Sequence, residues 1–140
     1  MDDVPDEFWQ GIEQFNRGEF YACHDTLEAI WMEAPVYEKK FFQGILQISV
    51  GLYHLGNHNW RGAVILLGEG IHRLHDYQPE YAGIDVEELI DRATEVLSGL
   101  QKIDPDRVAQ VVLTSDPSPD SDAQIFLPRP IIQKADPSGE

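Results

Sequence analysis

The chain has 140 residues, one domain's worth, and its 42% hydrophobic, 25% charged and 10% aromatic composition is that of a globular protein with a real core. Ten Lys plus Arg against 25 Asp plus Glu leave a net charge of −15, which excludes nucleic-acid binding through phosphate contacts and docking on an anionic membrane surface. The single cysteine, Cys23, excludes an intrachain disulfide and a cysteine-rich zinc site.

In chain order the first helix is expected from Pro5 to Asn16. Phe8, Ile12 and Phe15 recur at helical spacing, and Asp6 and Glu7 favour the positive end of the helix dipole. Gly18 suits the left-handed residue after the last turn. The second helix runs from Glu19 to Glu33, with Phe20, Leu27 and Trp31 on its apolar side, and Ala34-Pro35 ends it. The third, Glu38 to Leu55, is apolar around most of its circumference through Phe41, Ile45, Ile48 and Leu52, widened by Phe42, Leu46 and Tyr53. Such a helix belongs in the middle of a bundle. Gly56 ends it, and Asn57 or Asn59 caps the next. The fourth spans Trp60 to Asp76, with Ala63, Val64, Leu67, Ile71 and Leu74 inward. The fifth spans Asp85 to Lys102 and repeats the pattern from Val86 to Leu100. No alternating strand is evident before residue 103, and no third matching repeat supports a solenoid.

The character of the chain changes near residue 103. Six of the nine prolines lie beyond it. Acidic and basic residues number 18 and 7 in 1–102, and 7 and 3 in 103–140, so net charges of −11 and −4 make neither part a cationic arm. Val108–Leu113 reads as a helical turn or an extended piece. Residues 115–122 read as loop or disorder. Ile125–Ile132 holds five large apolar residues and two prolines, and reads as an extended strap lying on an apolar surface. The fold expected is all-α: a compact bundle of about five helices over 1–102, with an extended, partly disordered, proline-rich tail over 103–140. No apolar run approaches the ~18 residues of a membrane span. The acidic start lacks the basic and apolar regions of a secretory signal. The expectation is a soluble protein of a reducing compartment, the cytoplasm.

Chemistry concentrates on helices two and three. His24 and Glu28 are four residues apart and project from one side. Gln43, Gln47 and His54 fall within about 40° of one another on helix three. Gly44 and Gly51 lie beside that stripe. Each glycine inside a helix is less favourable than alanine by about 1 kcal/mol, so the pair points to a close approach by another backbone or a ligand. If the two helices form an antiparallel hairpin, His24 and Glu28 would be buried facing Gln43, Gln47 and His54. One reading is a network of buried polar groups that satisfy one another. A second is a divalent-metal site with His24, Glu28 and His54 as ligands, because imidazole and carboxylate suit Zn, Mn or Fe. A third is a small-molecule pocket without metal.

The other histidines read more simply. His58 reads as a loop residue, and His72 and His75 as surface residues near a helix C-terminus. Cys23 reads as a core filler, and Trp9, Trp31 and Trp60 as core or interface aromatics. No serine-hydrolase signature, phosphate loop or dinucleotide fingerprint is present.

Two stretches resemble a known family. Phe15-Asn16-Arg17-Gly18-Glu19-Phe20 leads into His24-Asp25-Thr26-Leu27-Glu28-Ala29-Ile30-Trp31, and Phe42-Gln43-Gly44-Ile45-Leu46-Gln47 continues through Tyr53-His54 to Asn59-Trp60-Arg61-Gly62-Ala63. Both are similar, in order, to motifs of the all-helical family catalogued as domain of unknown function 309. The likeness covers about residues 7–75 and leaves the tail outside. It implies a compact helical bundle without an established activity, to which suggestions of metal-dependent hydrolysis attach. Its motif residues fall here on His24, Glu28, Trp31, Gln43, Gly44, Gln47, His54 and Gly62. Where the family has Glu after the histidine, this chain has the shorter Asp25.

The leading functional expectation is a soluble helical interaction or structural module, with a protein partner or a second copy of itself. The alternatives are a metal-dependent hydrolase and a small-ligand binder.

Overall fold

The computed structural model describes residues 4–114 and 124–135. Within them five α-helices form the body: α1 (Asp6–Asn16), α2 (Phe20–Glu33), α3 (Val36–Gly56), α4 (Trp60–Leu74) and α5 (Val86–Gln101). Each lies within two residues of its expected bounds. None is long and apolar enough to cross a membrane.

Local chemistry sets the ends. After α1, Gly18 takes φ +82°; its N–H donates to the Phe15 carbonyl at 3.0 Å and that of Glu19 to the Gln14 carbonyl at 2.9 Å, the paired bonds of a left-handed C-terminal stop. The same pattern closes α3, but there His58 takes the left-handed conformation, at φ +63°. It is an exposed loop residue, as its sequence suggested. Asn59 caps α4, its side chain accepting from the Gly62 N–H at 2.9 Å. Asp85 caps α5 through the Glu88 N–H at 2.9 Å.

Helix α3 is the central element. Its Phe41, Phe42, Ile45, Ile48, Leu52 and Leu55 join Phe8 and Phe15 of α1, Leu27 of α2, Leu67 and Leu74 of α4, and Leu89 and Val96 of α5 in one core. Tyr53, expected to widen the apolar face, is instead exposed. Gly44 and Gly51 explain how α4 comes so close. A Cβ on Gly70 of α4 would lie 2.7 Å from the Gly44 carbonyl oxygen, and one on Gly51 3.1 Å from the Leu67 nitrogen. The close approach that the two glycines predicted is therefore that of a backbone.

The expectation of no strand before residue 103 fails at one place. β1 (Glu80–Tyr81) and β2 (Ile84–Asp85) form an antiparallel hairpin. Ala82 and Gly83, at φ +53° and +83°, make the two-residue turn whose twist matches that of the strands. Strands of two residues leave no alternation to detect.

The tail docks. A 3₁₀ turn (Pro105–Gln110) buries Val108, and β3 (Val111–Thr114) pairs in parallel with β4 (Ile125–Pro128). Leu127 lies over Gly99 of α5, where a Cβ would meet it at 2.6 Å. Ile132 is buried in the core, so the apolar strap lies on its own bundle. The Asn16 side chain holds Ile132 by both backbone groups, accepting its N–H at 2.7 Å and donating to its carbonyl at 2.9 Å. Beyond it the chain runs beside β2, with the Asp85 N–H donating to the Gln133 carbonyl and the Ala135 N–H to that of Gly83. Trp9 packs on Gly83, and Lys134 sits 5.2 Å from the Trp9 ring centre. The loop or disorder expected for 115–122 lies outside the described residues.

Candidate functional site

The five candidate side chains do not form one buried cluster. Gln47 faces α4: it donates to Glu69 Oε1 at 3.0 Å and accepts from Arg73 Nε at 2.8 Å. Gln47 and the two glycines beside it are turned toward α4, whereas His54 of the same stripe reaches α2. Gln43 lies half-buried one turn earlier on α3. Glu28 is exposed and His24 only half-buried, so the expectation that both are buried is corrected. A charged carboxylate stays hydrated unless it is paired, and position 28 offers it water.

Two smaller groupings take the place of the cluster. In the first, ligating atoms of His24, Asp25 and Glu28 lie within 4.8 Å of one another, and His24 Nδ1 is 3.2 Å from Asp25 Oδ1. One turn of helix presents all three toward solvent. Asp25, the position at which the chain departs from the family motif, takes the place expected of His54. In the second grouping, His24 and His54 meet at a cavity of about 170 Å³ lined also by Phe20, Tyr21, Val50 and Tyr53. Asn59 holds His54 from the other side, its Nδ2 3.5 Å from His54 Nδ1. Asn59 Oδ1 accepts from the Gly62 N–H.

A larger groove lies at the other end of α2, where sequence reasoning placed nothing. It measures about 590 Å³ and opens between the start of α1, the second half of α2 and the start of α3. Ala29, Ile30 and Phe42 line it, and Glu7, Glu33 and Glu38 are among its polar residues. Beside it, the α2–α3 corner carries three exposed apolar side chains, Met32 at 65%, Val36 at 85% and Tyr37 at 70%. The Trp31 indole N–H at the same corner is buried and has no hydrogen-bond partner among the described residues, while Lys39 sits 4.6 Å from its ring centre. The sequence signal was the run Trp31-Met32 before Pro35-Val36-Tyr37, apolar residues on both sides of a helix break.

Cys23 is fully buried. Burial pushes its thiol from 9.0 up to about 12, against the smaller opposing effect of hydrogen bonds to Ser49 and the Phe15 backbone. It is a core filler, not a nucleophile.

Comparison with known proteins agrees with the motifs. Over 68 residues the chain is 32% identical to "Uncharacterized protein YpuF" of Bacillus subtilis (strain 168). The aligned stretch is 48% of this chain and 37% of that relative, so the chain spans little more than a third of the curated relative it matches. Residues 8–66, from α1 into α4, match the family described as a domain of unknown function (DUF309), and the two motifs lie in order along that stretch.

Proposed function

We propose that the chain is a protein-interaction module that receives a cationic amphipathic segment of a partner in the groove between α1, α2 and α3. The observation that carries this reading is the exposed apolar corner of Met32, Val36 and Tyr37 beside a groove edged by Glu7, Glu33 and Glu38. Apolar side chains grouped on an acidic surface mark a contact site. The carboxylates favour a basic partner, and a net charge of −15 on each copy disfavours self-association. Trp31 adds a large ring, a residue type enriched among interface anchors, with an N–H that has no partner among the described residues. The single cysteine, buried and reduced, fits a cytoplasmic setting.

The test is fluorescence anisotropy with a labelled amphipathic Leu/Lys helical peptide and its Leu/Glu counterpart. The Leu/Lys peptide is expected to bind, and the Leu/Glu peptide is not. Ala29→Phe fills the groove without touching a charge and is expected to weaken binding at least tenfold, as is Met32→Glu at the corner. Equal binding by Ala29→Phe and the parent chain would reduce the effect to charge alone and overturn the proposal.

A second reading concerns His24, Asp25 and Glu28. One imidazole and two carboxylates are a donor set suited to Zn²⁺ or Mn²⁺, and three ligands leave positions for water. An ion bound there would act as a Lewis acid and acidify its water. Zinc added to chelator-treated protein is expected to shift the His24 ring resonances in NMR; unchanged resonances would remove this reading.

A further inference from the structure

The cavity between the first half of α2 and the last turns of α3 has walls of an unusual kind. Of its six lining residues, five are aromatic or imidazole rings from exposed or half-buried positions, Phe20, Tyr21, His24, Tyr53 and His54. Tyr21 and Tyr53 stand 5.2 Å apart between ring centres, inclined at 40°. Tyr21 stacks on His24 at 5.8 Å and 28°, and Tyr53 leans on His54 at 6.2 Å and 52°. The rings thus form a continuous wall. Tyr21 is 57% exposed and Tyr53 39% exposed, so much ring surface remains open to solvent. None of the six lining residues is Lys or Arg. Two carboxylates stand just outside, because His24, which lines the cavity, has a ring nitrogen within 4.8 Å of Asp25 and Glu28 oxygens.

We infer that this aromatic wall binds a methylated ammonium group. Ring faces carry negative electrostatic potential and attract a cation placed within about 6 Å of their centres. A primary ammonium or a metal ion keeps its water or demands oxygen and nitrogen donors. A trimethylammonium group is large, weakly hydrated and without N–H, so it gains from ring faces and needs no acceptors. Asp25 and Glu28 supply the long-range attraction that brings it there. The site lies at the opposite end of α2 from the acidic groove and does not depend on that groove having a partner.

The group occurs on free solutes of the choline type and on trimethyllysine in peptides, and both are testable. Choline is titrated into the full chain by NMR with EDTA present, so that no metal competes. Its neutral isostere 3,3-dimethylbutan-1-ol serves as control. Choline is expected to shift the Tyr21 and Tyr53 ring resonances and to bind about fivefold to thirtyfold more tightly than the isostere. Tyr21→Ala is expected to abolish that preference, and Tyr21→Phe, which keeps the ring, to preserve it. Asp25→Asn combined with Glu28→Gln is expected to weaken choline binding and leave the isostere unaffected. Binding of a trimethyllysine peptide alone, lost for the unmethylated peptide, would support the site with a protein source for the group. Equal affinity for choline and isostere, or no binding by choline and the methylated peptide alike, would overturn the inference.

Discussion

Helix α3 meets its two main neighbours in opposite ways. Toward α4, Gly44, Gly51 and Gly70 remove the side chains that would separate the helices, and the backbones touch. Toward α2, bulky side chains such as Phe42, Tyr53 and His54 line cavities of about 590 and 170 Å³ at the two ends of the contact. Residue size thus decides where a ligand has room. The glycine-packed face is a structural seam, and the aromatic face holds the candidate sites.

Gly70→Ala attacks the closed face hardest. The new methyl would meet the Gly44 carbonyl oxygen at 2.7 Å and the Ile48 nitrogen at 3.0 Å, and neither can step aside without moving a helix. Denaturant titration is expected to show a loss of about 3 kcal/mol, the upper end for overpacking. A loss below about 0.5 kcal/mol, the range of an ordinary surface change, would show that the seam is not tightly closed.

Cys23 probes the middle of the open face, where α2 is sealed against α3. With a thiol raised to about 12 from 9.0, the folded chain keeps its proton where the unfolded chain loses it. The unfolded state then binds fewer protons, so stability falls as pH rises from about 9 toward 12. Urea midpoints across that window are expected to decline more steeply for the parent than for Cys23→Ala. Equal slopes would mean that the thiol is hydrated in the folded protein.

Gly68→Ala is the matched control for the seam. It lies on the same helix, but its Cβ would find only Leu97, at 4.0 Å. Relief of the helical cost of glycine is expected to raise stability by about 0.5–1 kcal/mol. A destabilised Gly68→Ala protein would show that glycines on α4 matter for reasons other than contact with α3.

Much of this contrast was legible beforehand. Apolar spacing located all five helices, because a side stripe of Phe, Ile and Leu permits one backbone geometry. Gly44 and Gly51 announced a close approach, and the family motifs marked about residues 7–75, of which 8–66 match the family. What failed was the assignment of neighbours. An angular argument groups Gln43, Gln47 and His54 on one face of α3, but it cannot say which helix that face meets. Glu69 and Arg73, on α4, were the better partners for Gln47, an acceptor and a donor that together satisfy both ends of its amide. The acidic groove was illegible for a related reason: it is built from three helix ends, and no local pattern describes their convergence.

The hold of Asn16 on Ile132 joins positions 116 residues apart. Most other packing in the bundle is between neighbours in the chain, α1 with α2, α2 with α3 and α3 with α4. On a ribosome those helical pairs can assemble as they emerge, whereas the side-chain amide of Asn16 must wait for the 116 residues up to Ile132 to follow it. Contacts of such long sequence separation form late, after loop-closure entropy has been met. Among the described residues the strap therefore settles after the helices it lies on.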